Sequence, residues 1–265
     1  MDLEVFSLTP VGLLEKLDTL KIGYRSSFGI VNEKRSTLVM IHGAGGRSQV
    51  WQAQVHPLKD CLNTLALDLP GHGETGGHHK RSMTEYAHWV SEILVTLFPG
   101  PVFLMGHSMG GAIVQETALL NPHLLKGIIL VSTGPKLQVA PEFLEGLSTH
   151  FEETIDRIIG YVYAPGADPM LVKEGAELMK AAGPRVLHDD FEACDRFDRS
   201  KEVGNIELPC LIVCGNKDVL SPPALSERLH QSIKGSTLKT LPNAGHMVMI
   251  ESYRAFNDCV RQFIW

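Results

Sequence analysis

An α/β domain with a mostly parallel central sheet, flanked by helices and carrying a helical insertion after the strand ending near Val131, is the fold this 265-residue sequence predicts. Three observations predict it. From about Thr37 onward, short and almost continuously apolar runs alternate with helical patterns, as expected of strands buried on both faces. Between Gly134 and Val203 the alternation stops and only helix-like stretches occur. It then resumes and continues to the C-terminal segment.

The elements follow in order. "LEVFSL" reads as a strand, Thr9 to Gly12 as a turn, and "DTLKIGYRS" as a second strand. "TLVMIHG" is a strand before the helical "RSQVWQAQVHPLKD", and "NTLALDLP" one before "SMTEYAHWVSEILVTLF". "VFLMGHS" leads into a helix after Ser108, which "LKGIILVST" follows as a strand. The helical stretches "PEFLEGLSTHFEETIDRIIGYVY" and "PMLVKEGAELMKAAG" then interrupt the pattern. "PCLIVCGNKD", the helical "PALSERLHQSIKG", "STLKTLPNAGH" and an amphipathic helix from about Val248 to Phe263 complete it. The expected organisation is a core of residues 1–133 and 204–265, with 134–203 inserted as a helical cap, or lid, over the carboxyl edge of the sheet.

Composition narrows the function. A net charge of -6 without a dense Lys/Arg run argues against a nucleic-acid backbone or an anionic membrane as the main partner. The longest apolar runs, such as "GIILV", are too short to span a bilayer. The start, "MDLEVFSLTP", has no basic stretch before an apolar one, as a secretory signal would. Five cysteines form no disulfide framework, and Cys210 and Cys214 on one strand would lie roughly 13 Å apart. A cytoplasmic location is the expectation. His72, His78 and His79 lack neighbouring ligands at metal-site spacing, so no metal is expected; His78 and His79 read as a solvated loop.

Chemistry concentrates where strands end. In "MGHSMGGAIVQETALL", Ser108 stands between glycines at a strand-to-helix turn, which presents its hydroxyl at the sheet edge beside the N–H groups of a helix start. Serine needs a base. Of twelve histidines, His246 in "PNAGHMVMIES" follows the last expected strand and so reaches the same edge, whereas His107 should project away from Ser108 and pack locally. The base needs a carboxylate to fix its tautomer. Asp218 closes "CLIVCGNKD"; Asp195 and Asp198 lie on a helix leading out of the insertion, and the end of the preceding strand reads Ser132-Thr133-Gly134. Two backbone donors for a developing oxyanion are expected from Met109, directly after the serine, and from Ala44 in "HGAGG".

"HGAGG", "DLPGHGET", "GHSMGG", "GNKD" and "AGH", in this order from about Thr37 to the end, resemble the α/β-hydrolase superfamily, in particular its lid-bearing esterase and lactonase branch. The resemblance implies Ser108 as nucleophile, Asp218 as acid, His246 as base, and Ala44 and Met109 as oxyanion donors. It makes the Gly71–Gly73 turn structural, with His72 outside the catalytic set; Thr75 stands where relatives often have serine. Serine rather than aspartate at the elbow makes dehalogenation and epoxide opening improbable.

The expected activity is therefore hydrolysis of a carboxylic ester, thioester or lactone through an acyl-enzyme, with no cofactor and a small-molecule substrate. Its rivals are carbon–carbon or enol-lactone hydrolysis by the same triad and, further off, a ligand receptor on this fold. Gly43, Gly45, Trp51, Phe143, Phe151 and Met247 are expected near the pocket, and Tyr161 and Tyr163 either there or anchoring the lid. The sequence does not indicate an oligomeric state.

Overall fold

The computed structural model describes residues 10–27 and 31–265; the strand expected at Leu3–Leu8 lies outside them. In chain order the elements are α1 (Pro10–Thr19), β1 (Tyr24–Ser26), β2 (Thr37–Ile41), α2 (Gln52–Val55), β3 (Asn63–Leu67), α3 (Met83–Leu97), β4 (Val102–His107), α4 (Met109–Leu120) and β5 (Leu125–Val131). Four helices follow without a strand: α5 (Pro141–Thr149), α6 (Phe151–Val162), α7 (Pro169–Ala182) and α8 (Pro184–Asp195). The chain closes with β6 (Cys210–Gly215), α9 (Pro223–Ser232), β7 (Thr237–Leu241), α10 (Val248–Glu251) and α11 (Tyr253–Ile264).

The strands form one sheet in the order β1-β3-β2-β4-β5-β6-β7. Among the described strands only β1 runs antiparallel, pairing Tyr24 with Leu67. Alternate residues of each strand feed opposite faces. Val39, Ile41, Leu104 and Ile212 pack with Leu17, Tyr86, Val90 and Ile113 on one side. Leu38, Met40, Met105 and Val213 pack with Trp51, Leu58, Phe256 and Val260 on the other. The connection from β2 runs to β3 on one side, and β4 then takes the place on the other side of β2. The loops after β2 and β4 therefore diverge at a crevice, where open α/β sheets bind ligands.

Several elements differ from expectation. Pro10–Thr19 is a helix rather than a turn and the start of a strand: Leu13 and Leu17, one turn apart, are both buried against the core, and the strand shrinks to Tyr24–Ser26. "RSQVWQAQVHPLKD" forms only a 3-10 turn at Ser48–Trp51 and the one-turn α2, since Pro57 has no N–H with which to continue the helix. The stretch from Pro141 breaks at His150, whose φ/ψ of -140/58° separates α5 from α6. The break lets α6 fold back against Gly146, where an added Cβ would lie 2.3 Å from Thr154 Oγ1. The last helix breaks likewise at Ser252 (φ/ψ -124/40°).

Helices α5–α8 have an apolar centre of their own, built from Leu147, Ile155, Ile158, Ile159, Val162 and Leu187. Ala44, Leu220 and Met247 pack on it from loops at the carboxyl edge of the sheet. The strands of chain entering and leaving this insert are zipped together: Arg199 N–H donates to Pro135 O (2.7 Å), Leu137 N–H to Phe197 O (3.3 Å), and Lys136 pairs with Asp198 (3.1 Å). Arg199 also grips the buried Glu116 of α4 through two bonds of 2.7 Å.

Candidate active site

Ser108 joins β4 to α4 with φ/ψ of 52/-116°, a backbone region that a residue with a Cβ occupies only under strain. Its neighbours show how the strain is held. A Cβ on Gly106 would sit 2.1 Å from Gly110 O, one on Gly110 2.4 Å from Ile41 O, and one on Gly111 2.6 Å from Thr133 Cγ2. These glycines serve close approach, and bonds complete the elbow: Ser108 N–H donates to Val131 O (2.9 Å), while Ser108 O accepts from Thr133 Oγ1 (2.9 Å). Met109 opens α4, so its N–H has no intrahelical acceptor and lies beside the serine.

Asp218 lies in the loop after β6 and is buried. Its Oδ1 accepts from the N–H groups of Leu220 (3.0 Å) and Ser221 (2.8 Å). Its Oδ2 accepts from Nδ1 of His246 at 2.9 Å. Burial pushes this carboxyl up, but His246 and the Ser221 N–H more than offset that, so Asp218 stays ionised below its ordinary value. The bond places the His246 proton on Nδ1 and leaves Nε2 as an acceptor. Gly215 permits this meeting of loops, since a Cβ there would lie 2.2 Å from Ala244 O.

The backbone of His246 is held from both sides. Its N–H donates to Val162 O at the end of α6 (2.8 Å). Its carbonyl accepts from Nε2 of His107 (3.0 Å), and the two rings meet edge-on at 4.6 Å. His107 was expected to pack or bond locally; instead its hydrogen bond reaches 139 residues along the chain to the expected base, and it lines the same cavity as Ser108. Burial, then the neighbouring His246, push His107 down to about 3 and keep it neutral. Ser108 and His246 line one cavity of about 440 Å³. No hydrogen bond joins them among the described residues; such contacts are often long until substrate is bound.

The "HGAGG" loop forms the adjacent wall. A Cβ on Gly43 would come within 3.3 Å of Ser108 Cβ, and Gly46 N–H closes the turn on Gly43 O (3.0 Å). Gly43, Gly45, Phe143 and Met247 line the cavity, as do Tyr161 and Tyr163. Two expected contributors do not. Trp51 is wholly buried in the core, and its neighbour Val50 faces the cavity instead. Phe151 packs among the insert helices. The rest of the wall is mostly aliphatic, including Leu137, Ile159, Leu178 and Leu225.

Other polar residues resolve into structural pairs. Asp195 accepts from Val139 N–H (3.0 Å) and Asp198 pairs with Lys136, so neither reaches His246. Thr75 Oγ1 donates to Asp68 O (2.7 Å) and accepts from Gly23 N–H (2.9 Å), a hydroxyl's task that serine would also perform. His79 corrects the expectation of a solvated loop: its Nε2 donates to Asp189 of α8 at 2.7 Å, while His78 is exposed. His188, Asp189 and Glu192 gather within 4.8 Å of one another, but Asp189 is already engaged by His79 and Arg81 and Glu192 by Arg196.

The sequence reading missed Asp190. It is fully buried on α8, accepting from Nε2 of His72 (2.8 Å), Tyr86 Oη (3.1 Å) and Gly45 N–H (2.8 Å). Burial pushes His72 down, but Asp190 more than offsets this and leaves it raised. A signal was present: Leu187, Asp190, Phe191 and Cys194 share one helical stripe, and a carboxylate on an apolar stripe implies buried donors.

The model of the alpha/beta hydrolase family matches residues 38–258. The chain belongs to the α/β hydrolase family. A pimeloyl-[acyl-carrier protein] methyl ester esterase of Neisseria meningitidis serogroup C is 25% identical over 241 residues, covering 85% of this hydrolase and 92% of the relative. Among solved structures, a thermophilic esterase is 30% identical with a TM-score of 0.80, covering 91% of this chain and 97% of that one. The enol-lactonase from Burkholderia xenovorans shares the fold, with a TM-score of 0.83 at 22% identity and coverage of 91% and 95%. No helix among the described residues of this hydrolase is long and apolar enough to cross a membrane.

Proposed function

We propose that this hydrolase cleaves carboxylic esters of small, largely apolar acyl groups through an acyl-enzyme on Ser108. The observation that carries the reading is the Asp218–His246 pair (2.9 Å) beside a serine held at φ 52°, with His246 and Ser108 on the wall of one apolar cavity. Ser108 Oγ attacks the carbonyl carbon as His246 Nε2 takes its proton; ionised Asp218 stabilises the imidazolium. The oxyanion is met by the N–H groups of Met109 and Ala44, and one such donor is worth about 2.7–4 kcal/mol in the transition state. The imidazolium then protonates the departing alcohol. Water, deprotonated by the same Nε2, attacks the acyl carbon and frees Ser108.

Residues 134–203 serve as a cap on a core of 1–133 and 204–265, since their helices supply much of the cavity wall. The relatives' substrate is a methyl ester on a carrier-bound acyl chain, by their name. For this chain we propose a free small-molecule ester, because the cavity wall is mostly aliphatic and its volume suits one small ligand.

Ser108→Ala is expected to fold with unchanged melting temperature while losing both turnover of nitrophenyl esters and labelling by a fluorophosphonate. Full turnover in that variant would remove Ser108 from the reaction. Across a series of nitrophenyl esters of increasing acyl length, kcat/KM should peak at short to medium chains and fall for long ones. A vinylogous diketone cleaved in preference to every ester would favour carbon–carbon hydrolysis instead.

A further inference from the structure

We propose that Asp190, carried by α8 of the insert, is a positioning residue for the oxyanion hole: with His42 it sets the two peptide planes on either side of Ala44. This rests on the reading above, in which the Ala44 N–H receives the oxyanion. The difficulty it answers lies in the sequence. "HGAGG" places glycines on both sides of Ala44, so no side chain of Gly43, Gly45 or Gly46 can hold the turn, and Gly45 sits at φ +61°. Such a loop must be held from outside.

The first plane is Gly43–Ala44. Leu69 N–H donates to Nε2 of His42 at 3.0 Å, so that nitrogen bears no proton in the neutral ring. The proton is therefore on Nδ1, which donates to Gly43 O at 2.8 Å. Gly46 N–H reaches the same oxygen. In a planar trans peptide the N–H points opposite to the carbonyl. Holding Gly43 O on the His42 side thus turns the Ala44 N–H the other way. Burial, then His72, push His42 down to about 4, so the ring stays neutral and these two bonds fix its tautomer.

The second plane is Ala44–Gly45. Its N–H donates to Asp190 Oδ2 at 2.8 Å. Oδ2 also accepts from His72 and Oδ1 from Tyr86, so the carboxylate cannot turn without breaking three bonds. The His72 ring stands 5.0 Å from that of His42, joining the two supports. Leu187, three residues before Asp190, lies where a Cβ of Gly45 would be, 2.6 Å from its Cδ1. The insert therefore both contacts the hole loop and orients its backbone.

The test compares Asp190→Ala with Asp190→Asn. Asparagine keeps an acceptor for Gly45 N–H and the shape of the carboxylate; alanine keeps neither. With alanine, kcat on a nitrophenyl ester should fall roughly 10- to 100-fold, less than or near the loss of a whole donor, with KM within about twofold. Affinity for an alkylboronic acid, which forms a tetrahedral adduct on the serine, should fall in parallel. Asparagine should recover most of both losses. A folded Asp190→Ala enzyme with wild-type kcat and boronate affinity overturns the proposal, as does equal loss in the two variants. Should Asp190→Ala not fold, Tyr86→Phe removes the donor on Oδ1 alone; it should lower kcat severalfold at constant KM, and an unchanged kcat overturns the proposal. Turnover retained by Ser108→Ala would instead sink the acyl-enzyme reading, whatever residue 190 does.

Discussion

Asp218 accepts three hydrogen bonds: two from N–H groups on one oxygen and one from the His246 ring on the other. Asp218→Asn would preserve the outline but present an amide whose NH₂ favours the wrong tautomer of His246. We expect kcat to fall about 10⁴-fold with little change in melting temperature; a loss under tenfold would show that another group orients the base. At this scale Ser108, Asp218 and His246 could be singled out because each lies at or just beyond the carboxyl end of a strand, and parallel strands deliver such residues to one edge. His79 and Asp190 were not. Their partners lie 110 and 118 residues away, for His79–Asp189 and His72–Asp190, and polarity alone cannot tell a solvated side chain from a paired one.

The β4–α4 elbow depends on Gly106 as much as on Ser108. Gly106→Ala forces a methyl group to 2.1 Å from Gly110 O, a backbone atom that cannot turn aside. The expected cost is about 3 kcal/mol, read as a lower denaturation midpoint together with weaker fluorophosphonate labelling. Wild-type stability would mean that the elbow relaxes freely. The core strands and long helices were readable because buried strands announce themselves as apolar runs. Helix breaks at His150 and Ser252 were not: neither residue is a glycine or proline, and the breaks follow from where the next helix must pack. α1 was hidden by a glycine and a proline near its start, which suggested a turn.

Across the whole molecule, the insert is tied to α4, the helix that begins after Ser108, by Arg199 and Glu116. Burial pushes the Glu116 carboxyl up, but the hydrogen bonds from Arg199 and Thr84 outweigh this and hold it below its ordinary value. A depressed carboxyl adds stability that is complete above the unfolded-state value of about 4.3 and is lost as pH falls through the folded-state one. Glu116→Gln should therefore destabilise by about 2 kcal/mol at neutral pH, the gap from wild type closing below about pH 4. A gap independent of pH would show that charge is not what fastens the insert.

The bond from His246 N–H to Val162 O, with Glu251 accepting from both Gly245 and Ala164 N–H (3.0 and 2.8 Å), has a consequence for recombination. An engineer who grafts a foreign insert at residues 134 and 203 would also replace one of the backbone supports of His246. Chimeras of this hydrolase should keep turnover only when the donor segment brings a carbonyl to the place of Val162, or when the loop from Ala244 to Glu251 is exchanged along with it.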